Sequence, residues 1–280
     1  MSGDFGSKNV IDQQEYDAFC HFLATACGII LGENKQYLVS SRLDSLMKAN
    51  GIVSLAALVQ NLKEYPGSKI YIAVVDAMTT NETSWFRDSY PYGFLYEQLL
   101  PDVVDKHKNL RIWSAAASSG QEPYSISIIV DEFLENRRLS LTSVNIVATD
   151  ISQSVLSSAK EGVFPQSSLD RGMSQARIAH YFDEKDSLWR IKDEIKRRIT
   201  FREFNLLGSF SALGKFDIIF CRNVLIYFSS DTKKDILARI AGALNPLGYL
   251  VLGGSESIAN YSDSFNIVRL KNGLVYQLKE

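Results

Sequence analysis

Apolar positions recur at helical spacing through the first 80 residues. Asp12 and Glu15 fit a capping box, after which Tyr16, Phe19, Phe22 and Leu23 form one face running to Gly28. Asn34 to Ala49 is a second predicted helix, stopped by Asn50-Gly51. Ser54 can cap a third that ends at Pro66-Gly67, and a fourth spans Ser68 to Met78. No strand is needed, so residues 1–78 read as an all-helical N-terminal domain. The next stretch, TTNETSWFR over residues 79–87, is polar yet carries two large aromatics; residues 79–90 read as a connector. Pro91 then opens another helix and a second domain, 91–280.

From Leu110 the pattern alternates. Predicted strand 110–114 precedes helix 123–135, strand 144–149 precedes helix 152–161, and strand 216–221 precedes helix 231–244. Gly248 leads into strand 249–253, and strands 265–269 and 274–278 flank a Lys271-Asn-Gly273 turn. Alternating strands and helices predict an α/β fold with a parallel sheet covered on both faces. Residues 163–205 break the rhythm: Met173 to Phe182 reads as helix, and 188–192 and 198–204 read as paired strands. A small β-subdomain over about 173–204 is expected.

Composition narrows the class. The 280 residues suffice for an α/β core plus a smaller domain. A formal net charge of −2, with acids and bases intermixed, argues against nucleic-acid binding. Residues 1–7 are polar without a signal-peptide core, and no apolar run approaches the roughly 18 residues of a membrane span. A cytoplasmic protein without membrane insertion is expected. Cys20, Cys27 and Cys221 are too few and badly spaced for a zinc site or a disulfide framework, so they read as buried thiols and no metal is expected.

The chemistry gathers at the ends of the predicted strands. Residues 111–125, RIWSAAASSGQEPYS, read as a buried strand, a turn of small residues and a helix beginning on Pro123. Small side chains let a ligand approach backbone N–H groups at a helix N-terminus, which suits a nucleotide-like cofactor. The turn is not Gly-x-Gly-x-x-Gly, since only Gly120 remains, and an ordinary strand–helix turn is the plainer reading. Strand 144–149 ends at Asp150, which can accept both hydroxyl protons of a ribose or simply cap the next helix. Residues 220–228, FCRNVLIYF, bring Arg222, Asn223 and Tyr227 to the same edge, where a structural ion pair for Arg222 and a packed ring for Tyr227 are the alternatives.

Taken in order, these segments resemble the CheR-type chemotaxis-receptor protein-glutamate O-methyltransferases, which use S-adenosylmethionine. The matching stretches are Thr80–Arg87, Trp113–Ser125, Ala148-Thr-Asp150, Asn205-Leu206, Phe220–Phe228 and Gly254-Ser-Glu256. The resemblance implies a helical domain joined to a class I methyltransferase sheet with an inserted β-subdomain. It further implies that Asn81, Thr83 and Arg87 reach the cofactor, together with Glu122, Asp150, Asn205, Leu206, Arg222 and Asn223. Gln121 stands where many relatives carry Glu.

The chemistry is consistent with that family. A glutamate nucleophile, which ordinarily titrates near pH ~4.3, is ionised at neutral pH, so no general base is required. His21, His107 and His180 all lie outside the matching segments. Charge is lost in the reaction, so catalysis should come mainly from orientation and exclusion of water. Arg87 can pair with the incoming carboxylate and Tyr227 can fix the angle of attack. Lys35 and Arg42 lie seven apart on one stripe of the second helix; a solvated face is the plain reading, and the resemblance makes them candidates for contact with acidic receptor helices. Some relatives dock a receptor's C-terminal peptide on a glycine-bearing hairpin loop. Residues 182–201 lack glycine here and form a shorter stretch than in those relatives, and positive φ is harder to reach without glycine, so a tail-independent enzyme is expected. Competing readings are a methyltransferase for a small molecule or nucleic acid, and a non-catalytic S-adenosylmethionine-binding module.

Overall fold

The computed structural model describes residues 11–105, 109–139, 141–270 and 273–280. The chain divides into two compact units, Met1–Thr80 and Asn81–Glu280. The first holds α1 (Gln13–Cys27), α2 (Gln36–Ala49), α3 (Leu55–Glu64) and α4 (Lys69–Met78). Local side chains set three of their starts. Asp12, Ser54 and Ser68 each accept the N–H three residues on, at 2.9, 3.1 and 3.2 Å. Glu15 reaches further than a capping box: its Oε1 accepts the Ala56 N–H at 3.2 Å, one of the N–H groups at the start of α3 that lack an acceptor within the helix. Phe19, Leu23, Val39, Leu43, Leu58 and Val74 form the fully buried centre of this unit.

In the second unit, α5 (Tyr90–Phe94) carries Pro91 in its first turn and continues through a π turn, Leu95–Leu99, into α6 (Leu100–Val104). There follow β1 (Asn109–Ala115), α7 (Gln121–Arg137), β2 (Ser143–Asp150), α8 (Gln153–Glu161) and β3 (Val163–Pro165). After them come α9 (Gln166–Leu169), α10 (Gln175–Tyr181), β4 (Phe182–Lys185), β5 (Leu188–Ile191), α11 (Asp193–Lys196) and β6 (Ile199–Glu203). The chain closes with β7 (Phe216–Cys221), α12 (Ser230–Ala243), β8 (Leu244–Leu252), β9 (Phe265–Leu270) and β10 (Gly273–Leu278).

The main sheet runs β6-β2-β1-β7-β8-β10-β9, parallel across its first five strands and antiparallel at β10 and β9. Its central strands β1, β7 and β8 are apolar on both sides, as a sheet covered twice requires, while the edge strands β6 and β9 are largely exposed. Ile112, Ile218, Phe220 and Val251 pack with Leu95, Ile126 and Ile129, while their strand neighbours Trp113, Ile219, Cys221 and Leu250 pack with Ile236, Leu237 and Ile240. The predicted α/β class is what the chain adopts.

Four local expectations change. Helix α7 begins at Gln121 rather than Pro123, because proline is tolerated anywhere in a first turn whose N–H groups lack intrahelical acceptors. Residues 198–204 do not pair with 188–192. Strand β6 instead lies parallel to β2, Ile146 opposite Ile199, where Ile199 and Phe201 pack against the core on one face of the sheet. Strand β5 pairs with β3 and β4, so the small sheet spans 163–191 rather than 173–204. The β4–β5 turn reaches positive φ without glycine, through Asp186 at 52° and Ser187 at 61°. In the final hairpin Gly273 pairs with Leu270, and the predicted turn residues Lys271 and Asn272 lie outside the described residues.

Candidate active site

Register brings the candidate segments to one edge. Ala115 at the end of β1 lies opposite Thr149 of β2 and Cys221 of β7, and Asp150 lies opposite Glu203 at the end of β6. The residues that follow are therefore neighbours at the carboxyl ends of parallel strands, where open α/β sheets bind ligands. They are the turn Ala116–Gly120, Asp150 itself, Asn205-Leu206 and Arg222-Asn223.

Asp150 is buried and held on two sides. Its Oδ2 accepts the Ser118 N–H at 2.8 Å and its Oδ1 accepts the Ser152 N–H at 2.9 Å. Both bonds fix the carboxylate's orientation. Ser118 adopts φ 50° and Ala116 φ 57°, conformations open to side chains only at some cost. The Ser118 hydroxyl donates to the Asn81 carbonyl at 2.8 Å, which ties the connector to this turn. Asn205 accepts the Leu207 N–H on its side-chain oxygen at 3.0 Å, and the carbonyl of buried Leu206 accepts from Arg239 at 2.7 Å.

The two aromatics of the connector explain themselves. Trp85 is buried against Phe164 and Phe182, with ring centroids 4.9 and 5.4 Å away, and its backbone N–H donates to the Arg171 carbonyl at 3.1 Å. The Phe86 N–H donates to Ser125 Oγ at 3.1 Å, and Phe86 is held at φ 46°, an unusual conformation for so large a side chain. Arg171 and Glu82 form an ion pair across the same connector. These anchors leave Thr83 and Arg87 half-buried, with Arg87 donating to the Glu82 carbonyl at 3.0 Å.

Arg222 is the hub. Its guanidinium, 1% exposed, donates to Glu122 Oε2 at 3.0 Å, to Asp88 Oδ2 at 2.7 Å and to the Arg87 carbonyl at 2.9 Å. Glu122 also accepts the Ser114 hydroxyl at 2.8 Å. Burial pushes the Glu122 carboxyl above the ordinary glutamate range, against the pull of Arg222. Burial alone would weaken the Arg222 cation, but Glu122, Tyr92 and Asp88 outweigh it and raise its pKa. The side chain thus takes the structural ion-pair role that the sequence left open, and it also fixes the backbone beneath Arg87.

After Arg222, Asn223 sits at φ 57° and leads into a short 3-10 turn, Leu225–Tyr227, whose Tyr227 is half-buried. Glu256 accepts the N–H groups of Asn223, Val224 and Leu225 at 2.6, 3.0 and 2.8 Å. Glu256 and Ser118 lie within matched motifs that mark no role for either, and Asp88 lies just outside the matched stretch that ends at Arg87. A charged residue directly after Arg87 and a serine within the small-residue turn were the available signals.

The basic stripe divides. Lys35 is exposed, 5.6 Å from the ring centre of exposed Tyr37. Arg42 instead caps the end of α4, donating to the carbonyls of Met78 at 2.8 Å and Thr79 at 3.0 Å and to the Thr80 hydroxyl at 3.2 Å. Cys20 is half-buried rather than buried; burial raises its thiol, carries Cys27 up to about 11, and raises Cys221 well above the ordinary range, which disfavours the thiolate at each. Among the described residues, no helix is long and apolar enough to cross a membrane.

A doubly covered parallel sheet closed by an antiparallel hairpin, with an acid ending β2 beside a small-residue turn, is the architecture of class I S-adenosylmethionine-dependent methyltransferases. The family model described as "CheR methyltransferase, SAM binding domain" matches residues 81–274, and "CheR methyltransferase, all-alpha domain" matches residues 14–79. The chain belongs to the CheR methyltransferase family. It is 50% identical over 269 residues to Chemotaxis protein methyltransferase Cher2 of Pseudomonas putida, covering 95% of this chain and 98% of that one. Chemotaxis protein methyltransferase 1 of Pseudomonas aeruginosa gives the same identity and coverage. Its namesake from Vibrio cholerae is 48% identical over 270 residues, covering 96% of this chain and 98% of the other.

Proposed function

We propose that the protein methylates glutamate side chains on the cytoplasmic helices of methyl-accepting chemoreceptors, producing glutamate methyl esters and S-adenosylhomocysteine as a step in sensory adaptation. The observation that carries this reading is the position of Asp150 and Arg222-Asn223 at the ends of β2 and β7, on either side of β1, with Glu122 in the first turn of the helix after β1, in a CheR-family chain. The donor set fits the cofactor. A buried, oriented carboxylate at Asp150 suits vicinal ribose hydroxyls, and a second, partly buried acid, Glu122, suits a cationic methionine end. Asn81, Thr83, Asn205, Leu206 and Asn223 complete the proposed cofactor wall.

Bound S-adenosylmethionine supplies a methyl group activated by its sulfonium. The protein's own task is to orient and to exclude water. Arg87, its backbone gripped by Arg222, presents a guanidinium to the substrate carboxylate, and Tyr227 constrains the approach. Lys35 beside Tyr37 offers a cation and an aromatic face to an acidic helix. Arg42 enters this reading only as support for α4. Independence of a receptor tail peptide is kept on the two-residue length of the β4–β5 turn, since absence of glycine does not bar positive φ there.

The test supplies S-adenosylmethionine tritiated on its methyl group to purified receptor cytoplasmic fragments, with and without their last few residues. Base-labile label released as methanol from both fragments is expected. Label on nucleic acid or small molecules instead, or no transfer at all, contradicts the substrate assignment. A large loss on truncation contradicts tail independence alone.

A further inference from the structure

Glu256 makes more backbone contacts than a surface loop needs. Its two carboxylate oxygens together accept four N–H groups: Asn223 and Gly253 on Oε2 at 2.6 and 2.9 Å, Val224 and Leu225 on Oε1 at 3.0 and 2.8 Å. Three successive N–H groups pointing at one anion form a nest at the start of a helical turn. Two loops are thereby joined, the one after β7 and the one after β8, which leave the sheet side by side with Cys221 opposite Leu252.

The nest holds a conformation that would otherwise relax. Asn223 lies at φ 57°, and its neighbours on either side are Arg222, the hub of the connector, and the turn ending at Tyr227. Gly253 shows how closely the parts fit. A Cβ there would stand 2.8 Å from both Asn223 Nδ2 and Glu256 Oε2. Glu256 Oε2 cannot yield without loosening its bonds to the Asn223 and Gly253 N–H groups.

We infer that Glu256 is a positioning residue for methyl transfer: its carboxylate sets the backbone from Asn223 to Leu225, and through it the side chains of Asn223 and Tyr227. The inference rests on the proposed site, in which those two side chains face cofactor and reacting methyl. Glu256 acts through them and touches neither.

The experiment compares the full-length protein with Glu256→Gln, which keeps the shape but puts an NH2 group where an acceptor is needed, and with Glu256→Asp, which keeps the charge at shorter reach. Gly253→Ala provides a variant that disturbs the nest while leaving Glu256 in place. Amide hydrogen exchange is followed at Asn223, Val224, Leu225 and Gly253, beside calorimetry with S-adenosylhomocysteine and turnover at saturating cofactor. Faster exchange confined to those amides is expected in Glu256→Gln and Gly253→Ala, with affinity or turnover lower by roughly tenfold to a hundredfold and Glu256→Asp in between. Wild-type exchange in Glu256→Gln and Gly253→Ala would overturn the inference and leave the proposed site standing. Faster exchange with wild-type affinity and turnover would overturn it through the site assignment instead.

Discussion

The two units use charged side chains for different ends. In Met1–Thr80, charge closes helices: Asp12 caps α1, Glu15 meets the start of α3, and Arg42 covers the end of α4. In Asn81–Glu280, charge holds loops in shapes they would not keep alone: Asp150 grips the Ser118 turn, Arg222 the connector, and Glu256 the segment after β7. The backbone tells the same story. Asn34 is the one non-glycine residue at positive φ among the described residues of the first unit. In the second, eleven described residues adopt it: Phe86, Asp88, Ser89, Ala116, Ser118 and Asn223 lie in segments bordering the candidate site, and Arg138, Asp186, Ser187, Leu247 and Asn260 lie in other turns. Strain of this kind persists only where the surroundings over-determine it, and it concentrates where ligands are handled.

The comparison breaks most visibly at Gly172. This residue has φ 109°, and a Cβ on it would stand 2.0 Å from the Trp85 carbonyl oxygen. Gly172→Ala is therefore expected to dislodge the connector and to cost about 3 kcal/mol or more in urea unfolding. Wild-type stability would mean that the connector is not locked.

Next in size is the pair proposed to orient the substrate. Arg87→Ala and Tyr227→Phe are each expected to slow turnover about tenfold to a hundredfold at saturating cofactor, by loosening orientation rather than removing chemistry. Wild-type rates at saturation would remove both residues from their assigned roles.

The smallest effect sharpens the contrast. Arg42→Ala removes charge-assisted bonds from the end of α4 and should cost about 1–2 kcal/mol of stability. Affinity for S-adenosylhomocysteine should not change. Loss of receptor methylation without loss of stability would return Arg42 to the receptor-facing role that the family resemblance implies.

What could be read in the sequence follows from the range of the forces involved. Helix starts at Asp12, Ser54 and Ser68 were legible because a cap and its partner lie three residues apart. The parallel core was legible because strands buried on both faces are continuously apolar. Asp150 was legible because its position at a strand end is itself the signal. Partnerships across long separations were not. Nothing near Arg42 in the sequence announces the carbonyls of α4, and nothing near residue 199 says that β6 pairs with β2 rather than with β5. Asp186 and Ser187 show the converse, a turn that reaches positive φ although the absence of glycine makes it harder to form.

The central claim is that the carboxyl edge of the sheet is built around a nucleoside cofactor with Asp150 at its ribose. Calorimetric titration of S-adenosylhomocysteine into the wild-type protein and Asp150→Ala tests it most directly. Removing charge-assisted hydrogen bonds worth about 1.5–3 kcal/mol should weaken binding roughly 10- to 150-fold, with the fold intact. Equal affinity in the two proteins would contradict the account.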